Sequence, residues 1–398
     1  MLKKSILISC LLFVFFQNLN AEDKKEDYLY NPLPEKWQMD QQYYQTSPID
    51  DEWWNTFSDP VLTQLVGMAV ENNYNLAATL KSIEMAKKVI RETQSGYYPT
   101  FDASAGWTKS QEAGTIRGGM DVKSSYFSLG ATMNWEIDVF GKVYQQVKAK
   151  KAAYNVSKAD YDAVMVSLCA SLATSYLQLR MYQEELRVAE EHIESQKYVC
   201  KITESRYNAG LGDMLEVTQA KIVLYQTEST LPNLKANIKT IMNSIALLVG
   251  KYPGELDEML GKDTAMPDYK QNVALGVPAE IIRRRPDIVE AEMQLAEYAA
   301  EVGIAKKDFL PTLSLTGSIA TYSSDVKGLF GKHSLDYSIA PQLSWTIFEG
   351  LARNYALAES KLQFEAAIDT YNLTVLEAME EVDNALVNYS AYLEAVEL

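Results

Sequence analysis

Between Ser124 and about Asn208 the hydrophobic pattern of the chain changes period once, from two residues to about 3.6. Leu129, Ala131, Met133, Trp135, Ile137 and Val139 take every second position, with Ser128, Gly130, Thr132, Asn134, Glu136 and Asp138 between them. This alternation predicts a strand over about 126–140 with one apolar and one wet face. After Phe140-Gly141 the apolar positions fall at steps of three and four, through Val164, Leu168, Leu172, Tyr176, Leu179, Tyr182, Leu186, Ala189 and Ile193, which is the spacing of an α-helix. No glycine interrupts this stretch before Gly210. The pattern predicts one helix over about 142–208, roughly 100 Å long at 1.5 Å per residue. Few globular domains need such a rod, so the strand joined to it belongs to an elongated object.

The flanking segments extend the same scheme. Ser58-Asp59-Pro60 reads as a helix start, with Leu62, Leu65, Val66 and Ala69 on one face of the helix that follows. That helix falters at Asn72-Asn73-Tyr74-Asn75, and a second runs from about Leu76 to Gln94, ended by Gly96 and Pro99. Phe101, Ala103, Ala105 and Trp107 then alternate with Asp102, Ser104, Gly106 and Thr108, predicting a strand over about 100–109 that pairs with the strand over 126–140 through the polar loop Ser110–Lys123. At the other end of the rod, Ala209-Gly210-Leu211-Gly212 turns the chain into a returning helix over about 213–249, closed by Leu247-Leu248-Val249-Gly250.

The unit then recurs. Tyr97-Tyr98-Pro99-Thr100-Phe101 reappears as Asp308-Phe309-Leu310-Pro311-Thr312-Leu313, again after a helix, here one that follows Arg284-Arg285-Pro286-Asp287. Strands are predicted over about 312–320 and 336–348, and Phe348-Glu349-Gly350 matches Phe140-Gly141 before another alanine-rich helix. The chain therefore divides into a leader over 1–21, an extended segment over 22–58, a first repeat over 59–260, and a linker with a second repeat over 261–398. Tyr371 aligns with Tyr161, so Leu398 corresponds to about Val188 of the first copy. By comparison with that copy roughly 60 to 70 residues are missing from the second, which is expected to be incomplete: a fragment or a truncated reading frame.

Composition narrows the partners. A formal net charge of -16 over 398 residues argues against nucleic acid, which needs a basic surface. Lys3-Lys4, the apolar run Ile6–Phe16 and Ala21 predict a secretory leader cleaved before Glu22, and the run is too short to span a bilayer. Leu7-Ile8-Ser9-Cys10 offers the alternative of lipidation at Cys10, but a cut there leaves only three apolar residues ahead of the cysteine and carries Leu11–Phe16 into the mature chain. Cys169 and Cys200 lie 31 residues apart on the long helix, about 46 Å by helical rise, too far to bond within one chain. His192 and His333 sit in no metal or nucleophile motif. The sequence contains no catalytic grouping and no cofactor or metal signature, and an enzyme is not expected.

Hairpins with strands of about ten residues, apolar on one face and polar on the other, are the signature of a transmembrane β-barrel. Four such strands cannot close a barrel with a polar lumen, so the barrel is expected to be shared between subunits, with the helices continuing it as an α-helical tube. At this point the chain resembles a known family. Trp54 with Phe57-Ser58-Asp59-Pro60, Trp135–Gly141, Arg206-Tyr207-Asn208-Ala209-Gly210-Leu211, Leu247-Leu248-Val249-Gly250, Arg284-Arg285-Pro286-Asp287 with Ala291-Glu292, and Phe348–Gly350 resemble the outer-membrane efflux proteins. These are the TolC-like channels, here of the branch serving resistance-nodulation-division pumps.

The resemblance implies a mixed α and β membrane protein: a homotrimer whose twelve strands form a barrel in the outer membrane of a Gram-negative bacterium above a long periplasmic α-barrel. It implies two protein partners, a periplasmic adaptor (membrane fusion) protein and an inner-membrane efflux pump, and outer-membrane lipid around the barrel. By position Ala209, Gly210 and Leu211 resemble the tip motif that meets the adaptor, flanked by Arg206 and Asp213, although a helix hairpin needs a turn glycine in any case. Asn134, Glu136 and Asp138 are the candidates for the wall of the lumen. Two departures stand out: the branch commonly carries a lipidated cysteine at the mature N-terminus, where Glu22 stands here, and the family's gate lies on the second-repeat helical hairpin that this sequence lacks. The function expected is a passive exit duct for solutes driven by the pump; the alternative is a periplasmic helical scaffold or adaptor without a pore.

Overall fold

The computed structural model describes residues 28–30, 32–34, 37, 44–45, 52–112, 122–262, 266–267, 273–274 and 282–397. The leader, Cys10, most of the extended segment and the middle of the first hairpin loop lie outside the described residues. Helix α1 (Pro60–Asn72) begins where the Asp59 carboxylate accepts the N–H groups of Val61 and Leu62 at 2.8 and 3.2 Å, with proline at the first helical position. Leu62, Leu65, Val66 and Ala69 form its buried stripe. Asn73 makes the corner into α2 (Tyr74–Gln94). Its N–H bonds Ala69 O at 2.9 Å, its Oδ1 accepts from Leu76 N at 3.0 Å, and its Nδ2 donates to Leu248 O at 2.8 Å. The asparagine run that interrupts the hydrophobic pattern is thus a built joint, and α2 starts two residues earlier than the pattern predicts.

Strands β1 (Thr100–Glu112) and β2 (Val122–Ile137) lead into α3 (Lys142–Asn208), and α4 (Met214–Leu248) returns along it. Pro232 sits inside α4 without ending it. The second copy supplies α5 (Pro286–Lys307), β3 (Thr312–Ser323), β4 (Leu335–Ser344) and α6 (Ala352–Glu397). The four strands form one sheet in the order β1-β2-β3-β4, every pair antiparallel. A separate two-residue parallel bridge joins Tyr44–Gln45 to Val273–Ala274.

Strand boundaries differ from the sequence reading at both ends. Near the helices the ladder stops earlier: Thr100 pairs with Asn134 and Thr312 with Ser344, so Val139 and 345–348 lie beyond it although their alternation continues. Pro99 and Pro311 precede the first paired residues and have no N–H with which to extend the ladder. At the far ends β1 reaches Glu112, β2 starts at Val122 and β3 reaches Ser323; these outer segments are mostly polar and carry no hydrophobic period from which their pairing could be read. Gly141, with φ +75°, makes the strand-to-helix joint, a backbone shape that disfavours other residues.

The principal core lies partway along α3, roughly 40–55 Å from its start by helical rise. Leu62, Leu65, Val66, Ala69 and Leu76 meet Leu168, Cys169, Leu172, Ala173, Tyr176 and Leu179 of α3, with Met242, Ile245, Ala246 and Val249 closing the third side. A polar chain crosses this core. Tyr176 donates its hydroxyl to Asp59 Oδ2 at 2.6 Å, and Arg180 Nε donates to Tyr176 OH at 3.1 Å; Arg180 Nη1 reaches Gln183 Oε1 at 2.8 Å and Lys262 O at 3.0 Å. Arg180 is 1% exposed. Burial, and then the hydrogen bond to Asp59, push the Tyr176 hydroxyl from its ordinary value of 10.0 up to about 12. A group whose proton is held more tightly in the fold contributes stability below its unfolded pKa and loses it as pH rises through the folded value. The wild type is therefore expected to lose up to about 2–3 kcal/mol between pH 10 and 12 that Tyr176→Phe does not lose. Urea unfolding of both proteins across that range measures this, and parallel pH curves would contradict it.

A second, smaller core joins the two helices of the second repeat. Ile282, Ile288, Val375 and Ala378 bury against one another, with Leu29 and Leu33 of the extended segment laid on top. Arg285 Nη2 bonds Asp287 Oδ2 at 2.7 Å and Glu381 Oε2 at 2.6 Å, which ties the start of α5 to α6 and accounts for the Arg285-Pro286-Asp287 motif as an anchored helix start. Lys142 pairs with Asp308 at 2.6 Å between α3 and α5. Asn372 holds the extended segment at two points, accepting from Tyr30 N at 2.8 Å and donating to Tyr28 O at 2.9 Å.

Candidate functional site

The sheet is a wall with two chemically distinct faces, because its register keeps every strand's alternation in phase. One row crosses Ala103, Ala131, Ile319 and Tyr337; the adjacent row crosses Asp102, Thr132, Ser318 and Ser338. Side chains of neighbouring rows point to opposite faces. The apolar face gathers Phe101, Leu129, Met133, Trp135, Leu315, Ile339 and Leu343; the polar face gathers serine and threonine hydroxyls, Asn134 and the carboxylates Asp102, Glu136 and Asp336. Slipping any strand by one residue would put its apolar set on the wet side. Along β2 the apolar run from Phe127 to Ile137 spans roughly 25 Å for a strand tilted by about 40°, the height of a lipid-facing band.

Tryptophans bound this band. At the helix end, Trp135 Nε1 donates to Tyr97 O and Trp345 Nε1 to Phe309 O, both at 3.0 Å, so the two repeats use the same bond at the same joint. At the far end Trp107 Nε1 donates to Ser125 Oγ at 3.2 Å. Rings that keep one satisfied polar edge beside an apolar surface are those found at membrane–water boundaries. Strands β1 and β4 are the edges of the sheet and have no outer partner among the described residues.

Asn134 and Glu136 stand on the polar face of β2. Asp138 stands one residue past β2, and its Oδ2 accepts the N–H of Tyr144 at 3.0 Å, capping the first turn of α3. The sequence reading missed Asp102 and Asp336, whose places in the alternation were the signal.

At the opposite end of the molecule α3 and α4 meet in a tight hairpin. Gly210, with φ +72°, follows the last turn of α3 while its N–H bonds Tyr207 O at 2.9 Å and Leu211 N bonds Arg206 O at 2.8 Å, a Schellman cap. Arg206 Nη2 donates back to Leu211 O at 3.4 Å, and Asp213 Oδ1 accepts from Leu215 N at 3.3 Å to start α4. Arg206, Ala209, Gly210, Leu211 and Asp213 are thus brought together. The turn also presents Leu211, Met214 and Leu215, which are 71%, 51% and 61% exposed. Met214 and Leu215 were not anticipated, since in sequence they read as ordinary helix positions. Below the tip the hairpin is zipped by Ile193, Cys200 and Leu224 and by Lys221–Glu204 at 2.7 Å. Among the described residues no group of three His, Cys, Asp or Glu side chains is placed to hold a metal ion.

The model of the family described as outer membrane efflux protein matches residues 65–251 and 277–398. The chain belongs to that family. Among relatives of this efflux family, outer membrane protein OprJ of Pseudomonas aeruginosa is 29% identical over 359 residues, covering 89% of this chain and 74% of that protein. Nodulation protein T of Rhizobium leguminosarum bv. trifolii is 28% identical over 340 residues, covering 84% and 71%. The solved outer-membrane channel OprN is 31% identical and superposes with a TM-score of 0.83 over 92% of this chain and 82% of that one. The Campylobacter jejuni CmeC channel, at 24% identity and a TM-score of 0.81 over 92% and 79%, shares the fold. The efflux family's fold is therefore that of this chain: a short four-stranded wall joined at Gly141 and Gly350 to long helices.

Proposed function

We propose that the protein is the outer-membrane channel of a tripartite efflux system, a passive exit duct whose energy comes from an inner-membrane pump. The observation that carries the reading is the two-faced sheet with open edges. Lipid tolerates only backbone whose hydrogen bonds are all made, so β1 of one subunit pairs with β4 of the next, and three copies give a closed barrel of twelve strands, apolar outside and polar within. Asn134, Glu136, Asp102 and Asp336 then line the lumen, and α3 to α6 continue it through the periplasm. The scaffold alternative leaves the apolar face of the sheet without a purpose. The protein acts by conducting solute and catalyses nothing. Extraction with detergent, followed by electrophoresis with and without heating, tests the reading: a trimer that dissociates on heating and conducts in a planar bilayer is expected, and full solubility without detergent would overturn it.

The hairpin tip docks the periplasmic adaptor. Leu211, Met214 and Leu215 give an apolar centre, Arg206 and Asp213 give the flanking charge, and exposed apolar groups of this kind carry most of the energy of an interface. Leu211→Asp with Leu215→Asp is expected to cut efflux at least about tenfold, as the loss of one or two such anchors does, while the trimer forms at normal levels. Unchanged efflux would remove the tip from the docking surface.

A further inference from the structure

The outward face of the wall carries two charges, and both sit at one level. Lys109 of β1 and Lys123 of β2 have the parity of Trp107 and Phe127, and the register pairs Lys109 with Ser125 and Gln111 with Lys123. The two lysines are therefore diagonal neighbours on one face, about 7–8 Å apart at the backbone. They lie immediately beyond Trp107, whose bond to Ser125 marks the upper edge of the apolar band. Both side chains are exposed, and among the described residues neither forms an ion pair. No carboxylate occurs on this face of β1, β2, β3 or β4 among the described residues; Asp102, Glu136 and Asp336 all belong to the other face. Two adjacent cations with no paired carboxylate among the described residues repel one another in a chain whose net charge is -16, so the pair is suited to an anion from outside the protein.

We propose that Lys109 and Lys123 form a binding site for the phosphate groups of an anionic outer-leaflet lipid. The inference rests on the membrane reading of the sheet, which puts the helix-distal end of the apolar band at the outer surface. The occupant is a lipid rather than free phosphate because the lysines are continuous with the lipid-facing band: acyl chains lie against Leu129, Ala131 and Ile319 while the headgroup reaches past Trp107. Each lysine near a membrane surface adds about 1 kcal/mol of attraction to anionic headgroups, so the pair contributes about a 30-fold gain.

The full-length protein is mixed with phosphatidylcholine vesicles, with vesicles containing a tenth of bis-phosphorylated glycolipid, and with vesicles containing the same glycolipid after dephosphorylation. The wild type is expected to bind the phosphorylated glycolipid about 30-fold more tightly than K109Q/K123Q does, K109R/K123R to bind like the wild type, and the dephosphorylated lipid to erase the difference. Insertion into all vesicles with equal glycolipid affinity for wild type and K109Q/K123Q overturns this site and leaves the channel reading intact. Full competition by millimolar inorganic phosphate also overturns it, in favour of a simple anion site. Failure to insert into any vesicle overturns both readings.

Discussion

An arginine at Ala131 is expected to abolish assembly in the outer membrane, whereas an arginine one residue away, at Thr132, is expected to leave it intact. Ala131 lies mid-strand in β2, between Ala103 and Ile319 on the apolar face, and Thr132 lies between Asp102 and Ser318 on the polar face. A basic side chain facing lipid near the bilayer midplane costs about 2–4 kcal/mol, and a threefold assembly incurs that cost three times. On the lumen side the same guanidinium sits in water beside the Asp102 carboxylate and costs little. The measurement is the fraction of each variant recovered as heat-dissociable trimer from the outer membrane. The pair is informative because helix contacts and expression differ little between neighbouring positions. Equal loss in both variants would mean that both faces of the sheet are packed against protein, and equal tolerance would mean that neither meets lipid.

What the sequence made legible follows from where a single force dominates. The 67-residue span of α3 was readable to the residue because its ends are chemical events, Gly141 and Gly210, both at positive φ, and no glycine or proline falls between them. The two-faced character of the sheet was readable because alternation is a period-two pattern that survives any uncertainty about pairing. Pairing itself was not readable: β2 lies between β1 and β3, and the contact of Trp135 with Leu315 across 180 positions of sequence is set by the way two repeats fold together, not by any local signal. Strand ends were misjudged near the helices because the alternation through Val139 and Ile347 continues past the point where Pro99 and Pro311 stop the ladder. The tip was half legible. Its turn glycine is a local requirement, while the exposure of Met214 and Leu215 depends on α4 leaving the turn with that face turned outward.

The least legible feature carries the largest stability prediction. Asp59 reads in sequence as a helix cap and Tyr176 as one member of a hydrophobic stripe; that they bond at 2.6 Å, with Arg180 behind them, required the fold. Asp59→Ala is expected to cost about 3–5 kcal/mol. It removes a cap worth about 0.5–2 kcal/mol, and it also strips the Asp59 carboxylate from a chain of contacts that ends in a buried guanidinium, which is the costly way to break such a group. Arg180→Met should cost distinctly less, because it removes the charge together with its need for partners and leaves Tyr176 bonded to Asp59. The double variant Asp59→Ala/Arg180→Met should then be less destabilised than the sum of the singles by about 1–3 kcal/mol, the coupling of neighbours in one network. Urea unfolding of the four proteins in the same detergent gives the cycle. Strict additivity would show that the chain of polar contacts is incidental to the fold and that Asp59 matters only as a cap. A positive coupling would show that the buried arginine is tolerated through Tyr176, which keeps its proton to high pH and so can donate to Asp59 while accepting from Arg180.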